Sequence, residues 1–199
     1  MRKEGIILRP AVALRNHGHG SNAGRCAGVT LVELMAALAV LAIVSTLAVP
    51  GLAHLYRSAS RVAAVNDFMH SVFLARSRAI MTGGVVSICR SVDGKLCANQ
   101  RSQWEDGWIV FQNLDHDLPV TRDPGEPVIE RHGPWNGGRI TTNRVAYSFR
   151  PMAQGDVNGT LVFCDPRESD DEARAIIISH TGRPRVSKRD ASRRVLHCL

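Results

Sequence analysis

From residue 29 to residue 49 the chain passes through 21 positions with a single charge, Glu33. At 1.5 Å per residue, a helix of that length reaches across the hydrocarbon core of a bilayer. A carboxylate inside such a run is costly, so it calls for a functional partner. Pro50-Gly51 then interrupts the run, and a proline inside a helix removes a backbone bond and bends it. Beyond it Leu55, Val62, Val65, Met69, Val72, Phe73, Ala79 and Ile80 recur at threes and fours. Arg57, Ser58, Arg61, Asp67, His70, Ser71, Ser77 and Arg78 fill the other side. The pattern predicts an amphipathic helix with one core-facing stripe, His70 being solvated. Thr82-Gly83-Gly84 ends it. The sum is one kinked helix of roughly 50 residues, its first half in lipid.

After Gly84 the period shortens to two. Strands are predicted at 85–89, 104–111, 128–131, 139–141, 144–149, 159–164, 173–179 and 183–187. Polar excursions at 91–103 and 113–126 and an acidic turn at 165–172 separate them. Short strands behind a long helix predict an α+β fold with an antiparallel β-domain. Aromatic residues are 5% of the chain, so the core is expected to be aliphatic.

A secretory signal also opens with basic residues and an apolar core. Here the apolar stretch is longer than the usual 7–15 residues and starts far into the chain, and Thr46-Leu47-Ala48 is a poor small-x-small site. A plain signal anchor accommodates the length but leaves Glu33 unexplained.

Charge sharpens the reading. Of the net +7, residues 1–28 carry five basic residues against Glu4, or +4. Residues 182–199 carry Arg183, Arg185, Lys188, Arg189, Arg193 and Arg194 against Asp190, or +5. The intervening chain is slightly acidic. Basic residues before the apolar run hold it to the cytoplasmic side, so the C-terminal part crosses. That puts the domain across the membrane from the cytoplasm, anchored by one span; for a bacterial inner membrane this is the periplasmic face, where disulfides form. Cys26 precedes the apolar run, and beyond it stand Cys89, Cys97, Cys164 and Cys198, an even number with three possible pairings. Zinc is the competing use, but no C-x-x-C occurs and no His stands at ligand spacing.

Enzyme motifs are missing: no G-x-S-x-G, Walker A loop, H-E-x-x-H or dinucleotide fingerprint occurs. Ser179-His180 is no dyad, since neighbours on a strand point apart. No enzymatic role, cofactor or metal is expected. Asp115, Asp117 and Asp123 could hold calcium, but their spacing is not that of an EF-hand, and a solvated loop is the expectation there and at 165–172. His17-Gly18-His19 could take a metal but lies ahead of the apolar run, in the basic segment that carries no sustained apolar face. Trp104 and Trp108 are expected in the core rather than as a binding platform.

The residues Gly28-Val29-Thr30-Leu31-Val32-Glu33-Leu34-Met35 after a basic leader resemble the type IV prepilin motif. The resemblance implies that a prepilin peptidase cuts between Gly28 and Val29, that Val29 is methylated where the family usually has Phe, and that Glu33 partners the new α-amino group. It implies a leader at 1–28, a membrane-spanning helix half at 29–50, an amphipathic half at 51–84, and a periplasmic β-domain with a basic C-terminal segment at 85–199. C-x7-C, then W-x-x-G-W-I-V-F, a strand ending in Cys, and Gly-Arg-x-Arg before a terminal Cys resemble the FimT/GspH branch of minor pilins and pseudopilins. That branch implies a type IV pilin-like fold, pairing of Cys89 with Cys97 and Cys164 with Cys198, and other major and minor pilins or pseudopilins as partners.

Gly182-Arg183-Pro184-Arg185 matches a Gly-Arg-x-Arg motif associated, in FimT-like pilins, with DNA binding during natural transformation. Guanidinium forks match phosphate oxygens, and an extended Arg183 and Arg185 share a face. Lys188, Arg189, Arg193 and Arg194 widen the patch. No aromatic residue interleaves, so sequence-independent phosphate contact is the expected mode. Two readings stand: a minor pilin that binds DNA for uptake, and a structural pseudopilin of type II secretion whose basic tail is solvated or meets a pilin or anionic lipid.

Overall fold

The computed structural model describes residues 28–98, 102–152 and 157–198. Residues 1–27, most of the expected leader with Cys26, His17 and His19, lie outside them. The chain divides into two compact units, the first ending at Ser45 and the second running Thr46–Leu199.

Helix α1 (Leu31–Thr82) opens where Thr30 caps it, its Oγ1 accepting the backbone N–H of Glu33 at 3.2 Å. It continues through Pro50 without a break. In the first unit every described residue is exposed. The helix holds an 18-residue window of mean hydropathy 2.4 with none of it buried, long and apolar enough to cross a membrane.

Among the described residues of the second unit, eight strands form two antiparallel sheets. The first has the order β3-β2-β1-β5, from β1 (Val85–Arg90), β2 (Trp108–Asn113), β3 (Val128–His132) and β5 (Ala146–Phe149). The second has the order β4-β6-β7-β8, from β4 (Arg139–Thr142), β6 (Gly159–Cys164), β7 (Arg174–Ile178) and β8 (Pro184–Ser187). Residues 104–111 were expected as one strand. They form instead a 3₁₀ turn, Trp104–Asp106, then Gly107, then β2. Gly107 has φ +118, and a Cβ there would meet the His132 carbonyl at 2.6 Å, so only glycine fits the joint.

The main core joins one stripe of α1 to the inner faces of both sheets. Ala64, Val65, Phe68, Val72, Ala75 and Ala79 meet Ile88, Val110, Tyr147, Phe149, Leu161, Phe163, Ile176 and Ile178. Its centre is aromatic, not aliphatic as composition suggested. Phe68 meets Trp104, Trp108, Tyr147 and Phe163 edge-on, with centroids 5.2–6.4 Å apart.

The predicted helix face is also corrected. Leu55, Val62, Phe73 and Ile80 are exposed, whereas Arg61 and Ser71, assigned to the polar side, are buried. The helix carries two apolar stripes, and the spacing rule merged them. Ser71 is satisfied by accepting from Trp108 Nε1 at 2.9 Å and donating to Glu130 at 2.8 Å. His70 remains exposed, with Nε2 3.4 Å from Glu130. Arg61 is held by Glu168 and, at 3.1 Å, by Glu172. The acidic turn is thus not a solvated loop: Asp165 is buried, and Glu168 is buried against Arg61.

Candidate nucleic-acid interface

The basic C-terminal segment begins at a tight turn. Gly182 takes φ +73 and donates its N–H to the Ser179 carbonyl at 2.8 Å. A Cβ at Gly182 would also crowd the Phe149 ring at 3.3 Å. The turn returns the chain as β8 on the edge of the second sheet, with Pro184 opposite Ile178, Arg185 opposite Ile177 and Val186 opposite Ile176. Residues directly opposite in an antiparallel pair share a face. Ile176 and Ile178 belong to the main core, while Ile177 and Ala175 belong to a second cluster with Cys164 and Leu196. Arg185 therefore stands on the outer face with Ile177. Arg183, opposite Ser179 through the Ser179 N–H to Arg183 carbonyl bond at 3.0 Å, stands there too.

Both arginines are exposed. Neither guanidinium makes a hydrogen bond or ion pair with another described residue. The Arg183 N–H donates to Ser179 Oγ at 3.1 Å, so the motif is held by its backbone and its charge is left over.

The four other cations differ. Lys188, Arg189, Arg193 and Arg194 are exposed, but the hairpin that carries the last three is organised by Asp190. Its carboxylate accepts the N–H groups of Ser192 and Arg194, each at 2.8 Å, and pairs with Arg194 Nε at 2.8 Å. The Arg194 N–H, aided by the Arg194 guanidinium, holds the Asp190 carboxyl below the usual range. Arg189 donates to the Arg193 carbonyl at 3.1 Å. Arg194 is thus compensated, and Arg189 serves the hairpin. The segment ends against the outer face, with Leu196 buried and Cys198 bonded to Cys164. A second disulfide joins Cys89 to Cys97.

The other expectations fall out plainly. Trp104 and Trp108 are buried and offer no stacking platform. In the 113–126 loop Asp117 accepts from Asn113, Thr121 N and Thr121 Oγ1. Glu126, buried and not anticipated, ties Leu114 N to Asp123 N. Partial desolvation, then the nearby Asp115 charge, pushes the Asp123 carboxyl up. No group of three or more His, Cys, Asp or Glu among the described residues is placed to hold a metal. At the other end, a Cβ on Gly28 would meet nothing within 4 Å, so the fold itself makes no demand for glycine there. Val29 and Glu33 are exposed.

The family model described as Type II transport protein GspH matches residues 64–182. The chain belongs to that family. A second model, the prokaryotic N-terminal methylation motif, matches residues 24–49, so this GspH-family chain is a minor type IV pilin or pseudopilin, anchored by its apolar helix. Such proteins are structural subunits. Solved structures similar to it include the type IV minor pilin FimU of Pseudomonas aeruginosa strain PAO1 in two crystal forms. One is 15% identical with a TM-score of 0.46, the match covering 63% of this chain and 86% of that one. The other is 17% identical with a TM-score of 0.47, covering 63% and 90%. No curated protein matches this chain.

Proposed function

We propose that this minor pilin binds DNA without regard to sequence, through Arg183 and Arg185, and serves DNA uptake in natural transformation. The observation that carries the reading is the turn at Gly182, which sets two exposed, uncompensated guanidinium groups side by side on one face. Lys188, Arg189 and Arg193 add field strength around them, and Arg194 less, being paired with Asp190.

On this reading the domain lies in the periplasm, and the peptidase cuts after Gly28 to leave Val29 as a methylated terminus. The new amine then finds the Glu33 carboxylate in lipid, on its own or a neighbouring subunit. Other pilins cover the exposed stripe of Leu55, Val62, Phe73 and Ile80.

The second reading is a structural pseudopilin of type II secretion, favoured by the description of the matching family. Titrating labelled duplexes of unrelated sequence with the purified chain in detergent separates the two. DNA binding predicts equal affinities and a log–log salt slope of about −0.9 per phosphate contacted. Arg183→Gln with Arg185→Gln should make the slope shallower by about two units. A wild type that binds no duplex near physiological salt would leave the secretion reading standing.

A further inference from the structure

We propose that Arg144 forms a second side of the DNA site, so that Arg183 and Arg185 take phosphates of one strand of a duplex and Arg144 those of the other. The inference rests on the DNA reading above and adds that both strands are gripped.

Register places these groups at one end of the second sheet. Ile178 lies opposite Pro184 on one side and Gly159 on the other. One step further along, Ser179 faces Arg183, and Asn158 adjoins Gly159 in the same row. Asn158 is exposed, and it holds Arg144: its carbonyl accepts from Arg144 Nε at 2.9 Å and its Oδ1 from Arg144 Nη2 at 2.7 Å. The Arg144 backbone is fixed as well, its carbonyl accepting from Trp104 Nε1 at 3.2 Å. A row thus crosses the sheet end with arginine at both margins and Ser179 and Asn158 between.

The spacing suits a duplex. In the order β4-β6-β7-β8, the β8 edge is two strand spacings from β6 and three from β4, or roughly 10–14 Å. The major groove of B-DNA is about 12 Å wide. Arg144 leaves the inner face, its Cγ beside Gly159, and turns round the sheet end to Asn158, so it is from that end that cations at the two margins reach phosphates on either side of one groove.

Other arginines, Arg150 included, also lack an ion pair among the described residues, and what singles out Arg144 is its pair of bonds to Asn158 in this row. Arg167 is paired with Asp165, Arg194 with Asp190, and Arg61 and Arg174 with Glu172. Arg139 is exposed but lies at the far end of β4, opposite Cys164. Arg144 makes no ion pair with a described residue, and both of its guanidinium bonds go to neutral groups. Its fork keeps a full charge and is held in place before DNA arrives, which lowers the ordering cost of contact.

The test compares strands. The mature chain in detergent is titrated with a labelled duplex and with one strand of it, at several salt concentrations. Arg144→Gln should weaken duplex binding roughly fivefold and make its slope shallower by about 0.9, while single-strand affinity stays within about twofold. Asn158→Ala, which keeps the charge and removes one of the holding bonds, should weaken duplex binding less and leave the slope unchanged. The double change at Arg183 and Arg185 should weaken both nucleic acids. Duplex curves for Arg144→Gln that overlay wild type, while the double change still acts, would overturn this inference and spare the DNA reading. Equal loss on single strands would overturn it too, showing one continuous track. A wild type that binds neither nucleic acid defeats the DNA reading itself.

Discussion

Two arginine–carboxylate clusters in the second unit make the same kind of bond under opposite conditions. Arg61 joins α1 to Glu168 and Glu172, across 107 and 111 residues, with its side chain 2% exposed. Arg194 joins Asp190 four residues away, with its side chain 78% exposed. Buried charges left unpaired are expensive, whereas exposed pairs trade water for little. The first cluster is therefore a condition of the fold, and the second shapes a turn and sets how much charge the basic tail presents.

Breaking the buried cluster should give the largest effect. Arg61→Met strands the Glu168 carboxylate and should lower stability by about 3–5 kcal/mol, read from urea unfolding through the buried Trp104 and Trp108. Replacing Glu168 and Glu172 as well by apolar residues should recover much of that loss. A loss from Arg61→Met no greater than for Arg194→Gln would erase the contrast.

Next comes the covalent tie. Cys164→Ser with Cys198→Ser opens a ring with a sequence separation of 34 and should cost about 3–4 kcal/mol in the chain-entropy model. The same urea experiment reads it. A negligible loss would mean that the tail is held by buried Leu196 and by the Asp170 carboxylate, which accepts the Cys198 N–H at 3.0 Å.

Acid sharpens the comparison further. A hydrogen bond from the Arg167 side chain, above all, holds the buried Asp165 carboxyl below its usual range. A depressed native value means that the stabilisation is full above about pH 4, the unfolded value, and fades as pH falls through the native one. The unfolding midpoint should therefore drop between about pH 4 and the lower native value, and Arg167→Gln should flatten that part of the curve.

The smallest effect belongs to the exposed pair. Asp190→Asn should leave the unfolding midpoint unchanged and, by freeing Arg194, steepen the DNA salt slope by at most about 0.9. A clear loss of stability would place Asp190 among the groups that hold the fold.

Strand periods after Gly84 were readable because alternation survives in short segments, and all eight strands occur near their expected places. The boundary error at 104–111 came from reading Gly107 as part of an alternating run, when the His132 and Ser91 carbonyl oxygens, 2.6 and 2.9 Å from where a Cβ would stand, forbid any side chain there. The helix face was misread for a different reason. Periodicity treats Arg61 as solvent-facing, and nothing local announces acids more than a hundred residues downstream. Arg183 and Arg185 were legible as a motif and as a pair on one face. Asn158 and Arg144 were not, because their meeting depends on the register of β4 against β6. Glu126 escaped for a similar reason: a lone acid in a polar loop gives no sign that it gathers the backbone N–H groups of both ends.

The Cys164–Cys198 bond has a mechanical consequence. Residues 165–197 form a closed ring containing β7, β8 and all six basic residues of the tail. A load applied to Arg183 or Arg185 enters the ring from its middle and leaves through Cys164, on β6, by covalent bonds at both ends. Peeling β8 from β7 can then lengthen the tether only by the slack of the ring, and the end of the chain cannot be drawn out like a thread. A cargo pulled by a moving filament would meet a loop with a fixed maximum extension, and the hydrogen bonds between β7 and β8 would yield and re-form within it.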